Sequence, residues 1–132
     1  MNRPSLRVGM VVIVALTALV LAGCSGSSAT SAVQKVDATK AVGMLDSRVV
    51  VDVRTPSEFA AGHIAGARNI DVEAADFSSR ISTLDRTAAY LVYCHSGRRS
   101  AIAAQQMAAA GFSDIADGGG MADLMAAGAP VE

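Results

Sequence analysis

Val49-Val50-Val51 is the feature that most restricts how this chain can fold. Three consecutive β-branched residues carry no polar alternation, so the strand they predict, over 48–53, has to be covered on both faces. Sheets of that kind are parallel and carry helices above and below. The remainder of the chain supplies the parts, because strand-like and helix-like segments alternate from Val33 onward. Residues 33–36 read as a short strand, and Asp37 as the N-cap of a helix over 38–45. Thr55-Pro56-Ser57-Glu58 has the form of a capping box with proline at the first helical position; it opens a short helix that stops at Gly62. A short strand is expected over 68–72, a helix over 76–84 and a buried strand over 89–93. An Ala-rich helix over 100–110 ends at Gly111. A last strand over 113–116 and a last helix over 121–127 complete the pattern. Met121, Met125 and the alanine faces read as core packing. The expected fold class is α/β, with a small, mainly parallel sheet flanked by helices.

The alternation begins only after residue 31. Ahead of it, Arg3 and Arg7 precede an apolar run from Val8 to Leu21, the order of the charged and hydrophobic regions of a signal peptide. A membrane-spanning helix needs about 20 apolar residues, and here Gly23-Cys24 and a Ser/Gly stretch cut the run off. Leu21-Ala22-Gly23-Cys24 resembles the lipobox of bacterial lipoproteins. That resemblance implies removal of residues 1–23 and a lipidated Cys24 as the mature N-terminus; an uncleaved anchor and an ordinary secretory signal are the alternatives. Residues 24–31 then form the lipid attachment point and a flexible tether, and 32–132 a single domain. The expected location is the extracytoplasmic face of the cell envelope, with the membrane as partner through the lipid anchor.

Without Arg3 and Arg7 the chain keeps nine basic side chains against twelve acidic ones, a net charge of about −3. Arg98-Arg99 is its only adjacent basic pair. Nucleic acid is therefore excluded as a partner. Cys24 closes an apolar segment whereas Cys94 ends a strand, which argues against a disulfide framework. Neither a metal-ligand set nor a cofactor motif is read in the sequence.

The chemistry concentrates where the strand over 89–93 meets Cys94-His95-Ser96-Gly97-Arg98-Arg99 and a helix from Ser100. A cysteine in a tight loop at a helix N-terminus lies where backbone N–H groups converge and the helix dipole is positive, a setting for an anionic nucleophile and an anionic substrate. Gly97 gives the loop its backbone freedom, and the two arginines offer forked donors to an oxyanion. Asp52 and Arg54 fall at the end of a central strand, where ligands collect in open α/β sheets. Arg54 either borders the pocket, or an ion pair shapes the loop, Arg54 with Glu58 or Asp52 with an arginine. His63 offers a general base, though its Gly-flanked turn points rather to a structural hydrogen bond; His95 either tunes the loop or points outward.

Three motifs in order resemble the rhodanese-like domain family over about residues 33–131: Val51-Asp52-Val53-Arg54 with Glu58-Phe59, Gly62-His63-Ile64-Ala65-Gly66-Ala67 with Asn69-Ile70, and Val92-Tyr93-Cys94-His95-Ser96-Gly97-Arg98-Arg99-Ser100. The resemblance implies a single-domain sulfurtransferase. Cys94 takes sulfane sulfur from a small anionic donor such as thiosulfate, becomes a persulfide, and passes the sulfur to cyanide, a thiol or a partner protein. N–H donors from His95 to Ser100 would hold the persulfide, and Arg98 or Arg99 would receive the sulfite end of the donor. Two departures stand out. His95 follows the cysteine where many family members have arginine, and Leu124 occupies the place of a family tryptophan in a chain with no tryptophan. Two other functions remain open. A persulfide carrier for one partner protein would keep Cys94. A phosphatase on the same fold would need an arginine at the sixth position after the cysteine, where this chain has Ser100.

Overall fold

A computed structural model describes residues 31–132. The segment 1–23, Cys24 and the tether to residue 30 lie outside the described residues. Five strands, β1 (Val33–Lys35), β2 (Val49–Asp52), β3 (Arg68–Asn69), β4 (Ala89–Cys94) and β5 (Asp114–Gly120), form one sheet in the order β1-β5-β4-β2-β3, and every pairing is parallel. Between them run α1 (Ala38–Val42), α2 (Pro56–Ala60), α3 (Phe77–Ser82), α4 (Arg98–Ala109) and α5 (Met121–Ala126). No helix among the described residues is long and apolar enough to cross a membrane.

The central strand explains why the sheet is covered twice. Along β4, Tyr90, Val92 and Cys94 pack into one core with Phe77 and Ile81 of α3 and Ala103, Ala104 and Met107 of α4. Leu91 and Tyr93 point the other way, into a second core with Ala41, Met121 and Leu124. This is the period-two alternation of a strand with both faces apolar. Leu124, in the place of the family's tryptophan, is fully buried in that second core. Sheet polarity also fixes where things lie. Val33 pairs with Ile115, which is level with Tyr90 near the start of β4, whereas Cys94 pairs with Gly120 at the finish. The chain thus enters β1 at the end of the sheet remote from Cys94.

Several boundaries differ from the sequence expectation. The first strand stops at Lys35, and the helix expected over 38–45 ends at Val42, with a 3-10 turn, Leu45–Ser47, after it. The expected strand 68–72 pairs only at Arg68–Asn69, because β2 ends opposite it at Asp52. The helix expected over 76–84 spans Phe77–Ser82. The last strand runs on through the glycines to Gly120, since they pair with Tyr93 and Cys94. The main helix starts at Arg98, two residues earlier than expected, so both arginines belong to its first turn.

Candidate active site

Cys94 is the last residue of the most enclosed strand and is itself fully buried. Its Sγ accepts the Gly97 amide N–H at 2.9 Å. Gly97 is the N-cap of α4 with φ +93°, a left-handed backbone that glycine adopts without strain. The first intrahelical bond runs from Ala101 N–H to Gly97 C=O. The amides of Arg98, Arg99 and Ser100 are therefore without an acceptor inside the helix, and they lie at its positive end. The loop rests directly on β5. A methyl group on Gly120 would stand 2.9 Å from the His95 carbonyl oxygen, and one on Gly97 would stand 3.5 Å from the Gly119 Cα. Only a hydrogen at position 120 lets the two backbones meet this closely.

The two arginines divide their work. Arg99 turns away to carboxylates: its Nη2 and Nη1 donate to Glu58 at 2.7 and 2.8 Å, and Nη1 also reaches Glu73 at 3.3 Å. Glu58 is placed by the capping box read in the sequence, with Thr55 and Glu58 satisfying each other's backbone N–H groups. Hydrogen bonding from Arg99 pulls the Glu58 carboxyl down to about 2 from its ordinary 4.5. Arg98 is exposed and has no ion-pair partner among the described residues. It is the arginine open to an incoming anion.

The Glu58 clamp makes a pH prediction. A carboxyl whose folded pKa is depressed adds stability that is present above its unfolded value and lost as pH falls through the folded one. Glu58→Gln should therefore lower the melting temperature near pH 6, and the gap to the parent should close between about pH 4.5 and 2. Thermal melts of both proteins across that range would show it; a gap independent of pH would count against the clamp.

On the opposite face, Asp52 and Arg54 form the buried pair, and Arg54 does not bond Glu58. Arg54 Nε donates to both Asp52 oxygens at 3.0 Å, Nη2 to Oδ2 at 2.6 Å and to the Gly62 carbonyl at 2.8 Å. The Tyr93 hydroxyl donates to Asp52 Oδ2 at 2.8 Å and accepts from the Ile64 amide at 2.9 Å. Burial works against the Arg54 charge, but Asp52 and Tyr93 together outweigh it and hold the guanidinium above its usual value; burial pushes the Tyr93 phenol up. Arg54 Nη1 has no partner among the described residues. Arg54 also lines a cavity of about 320 Å³ with Glu58, His95, Met121, Met125 and Val131. It is thus both an ion-pair residue and a pocket residue. His95 is exposed on that cavity's wall. His63 serves its turn: its Nδ1 lies 3.0 Å from the Phe59 carbonyl and its ring stacks on Phe59 at 3.6 Å. Ser96 and Gly97 line a second cleft, of about 610 Å³, on the other side of the loop.

Two participants were not singled out in the sequence. Tyr93 figures there only within a strand and the third motif, and Asp117 has no reading at all. Asp117 is buried and accepts from Ser100 Oγ at 2.7 Å. A lone Asp before three glycines looks like a turn, so only the pairing of β5 with β4 could have exposed its place.

With that geometry in hand, comparison with known proteins is specific. The family described as the rhodanese-like domain matches residues 28–123. The chain is similar to thiosulfate sulfurtransferase GlpE of Pseudomonas putida, 43% identical over 88 residues, which cover 66% of this chain and 77% of the relative. Among solved structures it is similar to the rhodanese-like domain of the Anabaena protein Alr3790, with a TM-score of 0.67, 29% identity and coverage of 74% of this chain and 77% of that one. A rhodanese-related protein from Thermoplasma volcanium gives a TM-score of 0.67 at 28% identity, covering 75% of this chain and 97% of that one.

Proposed function

The chain belongs to the rhodanese-like domain family, and on that footing we propose that it is a thiosulfate sulfurtransferase working through a persulfide on Cys94. The observation that carries the reading is the Gly97 N–H directed at Cys94 Sγ from the start of α4, a donor already placed for a negatively charged sulfur. The Cys94 thiolate attacks the outer sulfur of thiosulfate; the S–S bond of the donor breaks and its electron pair leaves on sulfite. The outer sulfur now carries the charge beside the helix amides. An acceptor such as cyanide or a thiolate attacks that sulfur, the persulfide bond breaks, and the Cys94 thiolate is restored. No proton is consumed in the cyanide reaction, so neither His63 nor His95 is required as a base. Arg98 and the open Nη1 of Arg54 are the groups offered to the sulfite end of the donor.

Ser100 argues against the phosphatase alternative. It stands at the sixth position after Cys94, is buried, and spends its hydroxyl on Gly97 and Asp117. No arginine is there to grip phosphate. Steady-state assay should give thiocyanate from thiosulfate and cyanide, with negligible hydrolysis of aryl phosphates. Phosphate hydrolysis without sulfur transfer would end this reading; persulfide uptake from a partner protein but not from thiosulfate would make the protein a carrier.

The leader and lipobox support a second element of the reading, an envelope protein anchored through lipid on Cys24. Cys24→Ala should block lipidation and so change the N-terminal mass. An unchanged membrane fraction and an unchanged mass would remove the anchor.

A further inference from the structure

The reaction needs Cys94, Gly97 and the amides at the start of α4 to stay converged on one sulfur atom. Ser100 is the first α4 side chain to reach back, with Oγ 3.0 Å from the Gly97 carbonyl and 2.7 Å from Asp117 Oδ1. The same Oδ1 accepts the Gly119 N–H at 3.1 Å. One carboxylate oxygen therefore joins the beginning of the helix to the glycine segment on which the loop lies, where Gly97 approaches Gly119 and His95 approaches Gly120. Asp117 is 4% exposed and makes no ion pair among the described residues. A buried carboxylate without a cation is costly, and here two hydrogen-bond donors, Ser100 Oγ and the Gly119 N–H, meet it.

We propose that Asp117 is the positioning residue of the sulfur-transfer loop, holding Gly97–Ser100 against the end of β5 so that the Gly97 N–H stays on Cys94 Sγ. It touches neither sulfur nor donor, and its role rests on the sulfur-transfer reading above. An asparagine side chain has the same shape and keeps a carbonyl oxygen for Ser100 and Gly119; alanine keeps neither contact.

The test uses the full-length protein in detergent with two readouts. In Asp117→Ala the thiosulfate:cyanide kcat should fall about tenfold while the KM for thiosulfate stays within about twofold, because the N–H donors act on the developing persulfide more than on bound donor. Backbone hydrogen exchange across 95–100 should quicken by about the same factor. Asp117→Asn should restore both to within about twofold. Combined with Ser100→Ala, the alanine variant should lose little beyond the larger single loss, since both changes cut one tie. Exchange and kcat unmoved in Asp117→Ala, or additive losses in the double variant, would overturn the proposal. A parent protein whose loop exchange depends on Asp117 but which moves no sulfur would leave the tie in place and sink the sulfur-transfer reading instead.

Discussion

Cys94→Ser should abolish transfer of sulfur from thiosulfate to cyanide, a loss on the order of a thousandfold or more, while the fold survives. A serine hydroxyl is nearly the size of the thiol and can accept the Gly97 N–H that now meets Sγ. It cannot take up sulfane sulfur under the same conditions, because an alkoxide is far less accessible than a thiolate and the resulting S–O bond is not a persulfide. The parent incubated with thiosulfate should gain the mass of one sulfur atom; the serine variant should gain nothing. Cys94 exposes no surface, so an entering sulfur has to pass the loop residues that border the two clefts. Measurable turnover in the serine variant would mean that another nucleophile does the chemistry, and the mechanism would have to be rebuilt around it.

Asp52→Ala should be the most damaging change outside the loop. The carboxylate accepts from the Arg54 amide and guanidinium and from the Tyr93 hydroxyl. Removal strands the charge of Arg54, a residue that is 5% exposed, and the fully buried Tyr93. Breaking a buried pair by deleting one partner costs about 3–5 kcal/mol, a large part of the 5–15 kcal/mol that stabilises a typical domain. At about 4–8 °C per kcal/mol the melting temperature should drop by about 12 °C or more. Asp52→Asn, which keeps an oxygen for Tyr93, should fall less. A melting curve for the alanine variant within a few degrees of the parent would show that Arg54 finds water or another partner, and the pair would then be no part of the framework.

The sheet was legible because its signal is local. Val49-Val50-Val51 and the run into Cys94 are apolar over consecutive residues, and Thr55-Pro56-Ser57-Glu58 forms the box its spelling predicts. The strand end at Cys94, the loop after it and the glycine that caps the next helix are legible for the same reason. What escaped was set by distance along the chain. Arg99 meets Glu58 across 41 residues, and no spacing rule selects that carboxylate over others. Asp117 reaches Ser100 from 17 residues away, across the strand pairing that carries β5 past its expected end at Ala116. The start of α4 was misplaced because two adjacent charges resemble a loop, whereas Gly97 at φ +93° ends the loop one residue before them. Edge strand β3 was overestimated because its sequence continues past the point where β2 stops offering partners.

The polarity of the sheet makes the two ends of the domain unequal as handles. Chain entering β1 arrives at the pole remote from Cys94, so a lipid, a tag or a whole preceding domain fused there leaves the Cys94 end of the sheet unobstructed. The other end has no such freedom. Val131 forms part of the cavity wall beside Arg54 and His95, and the Glu132 backbone exchanges hydrogen bonds with His63 at 2.9 Å in both directions. Cargo joined at that side would sit on the rim of the cavity that Arg54 and His95 line. Immobilised by its N-terminal end, the protein should work as a surface-bound catalyst facing the bulk solution; immobilised by the other, it would be turned toward its own support.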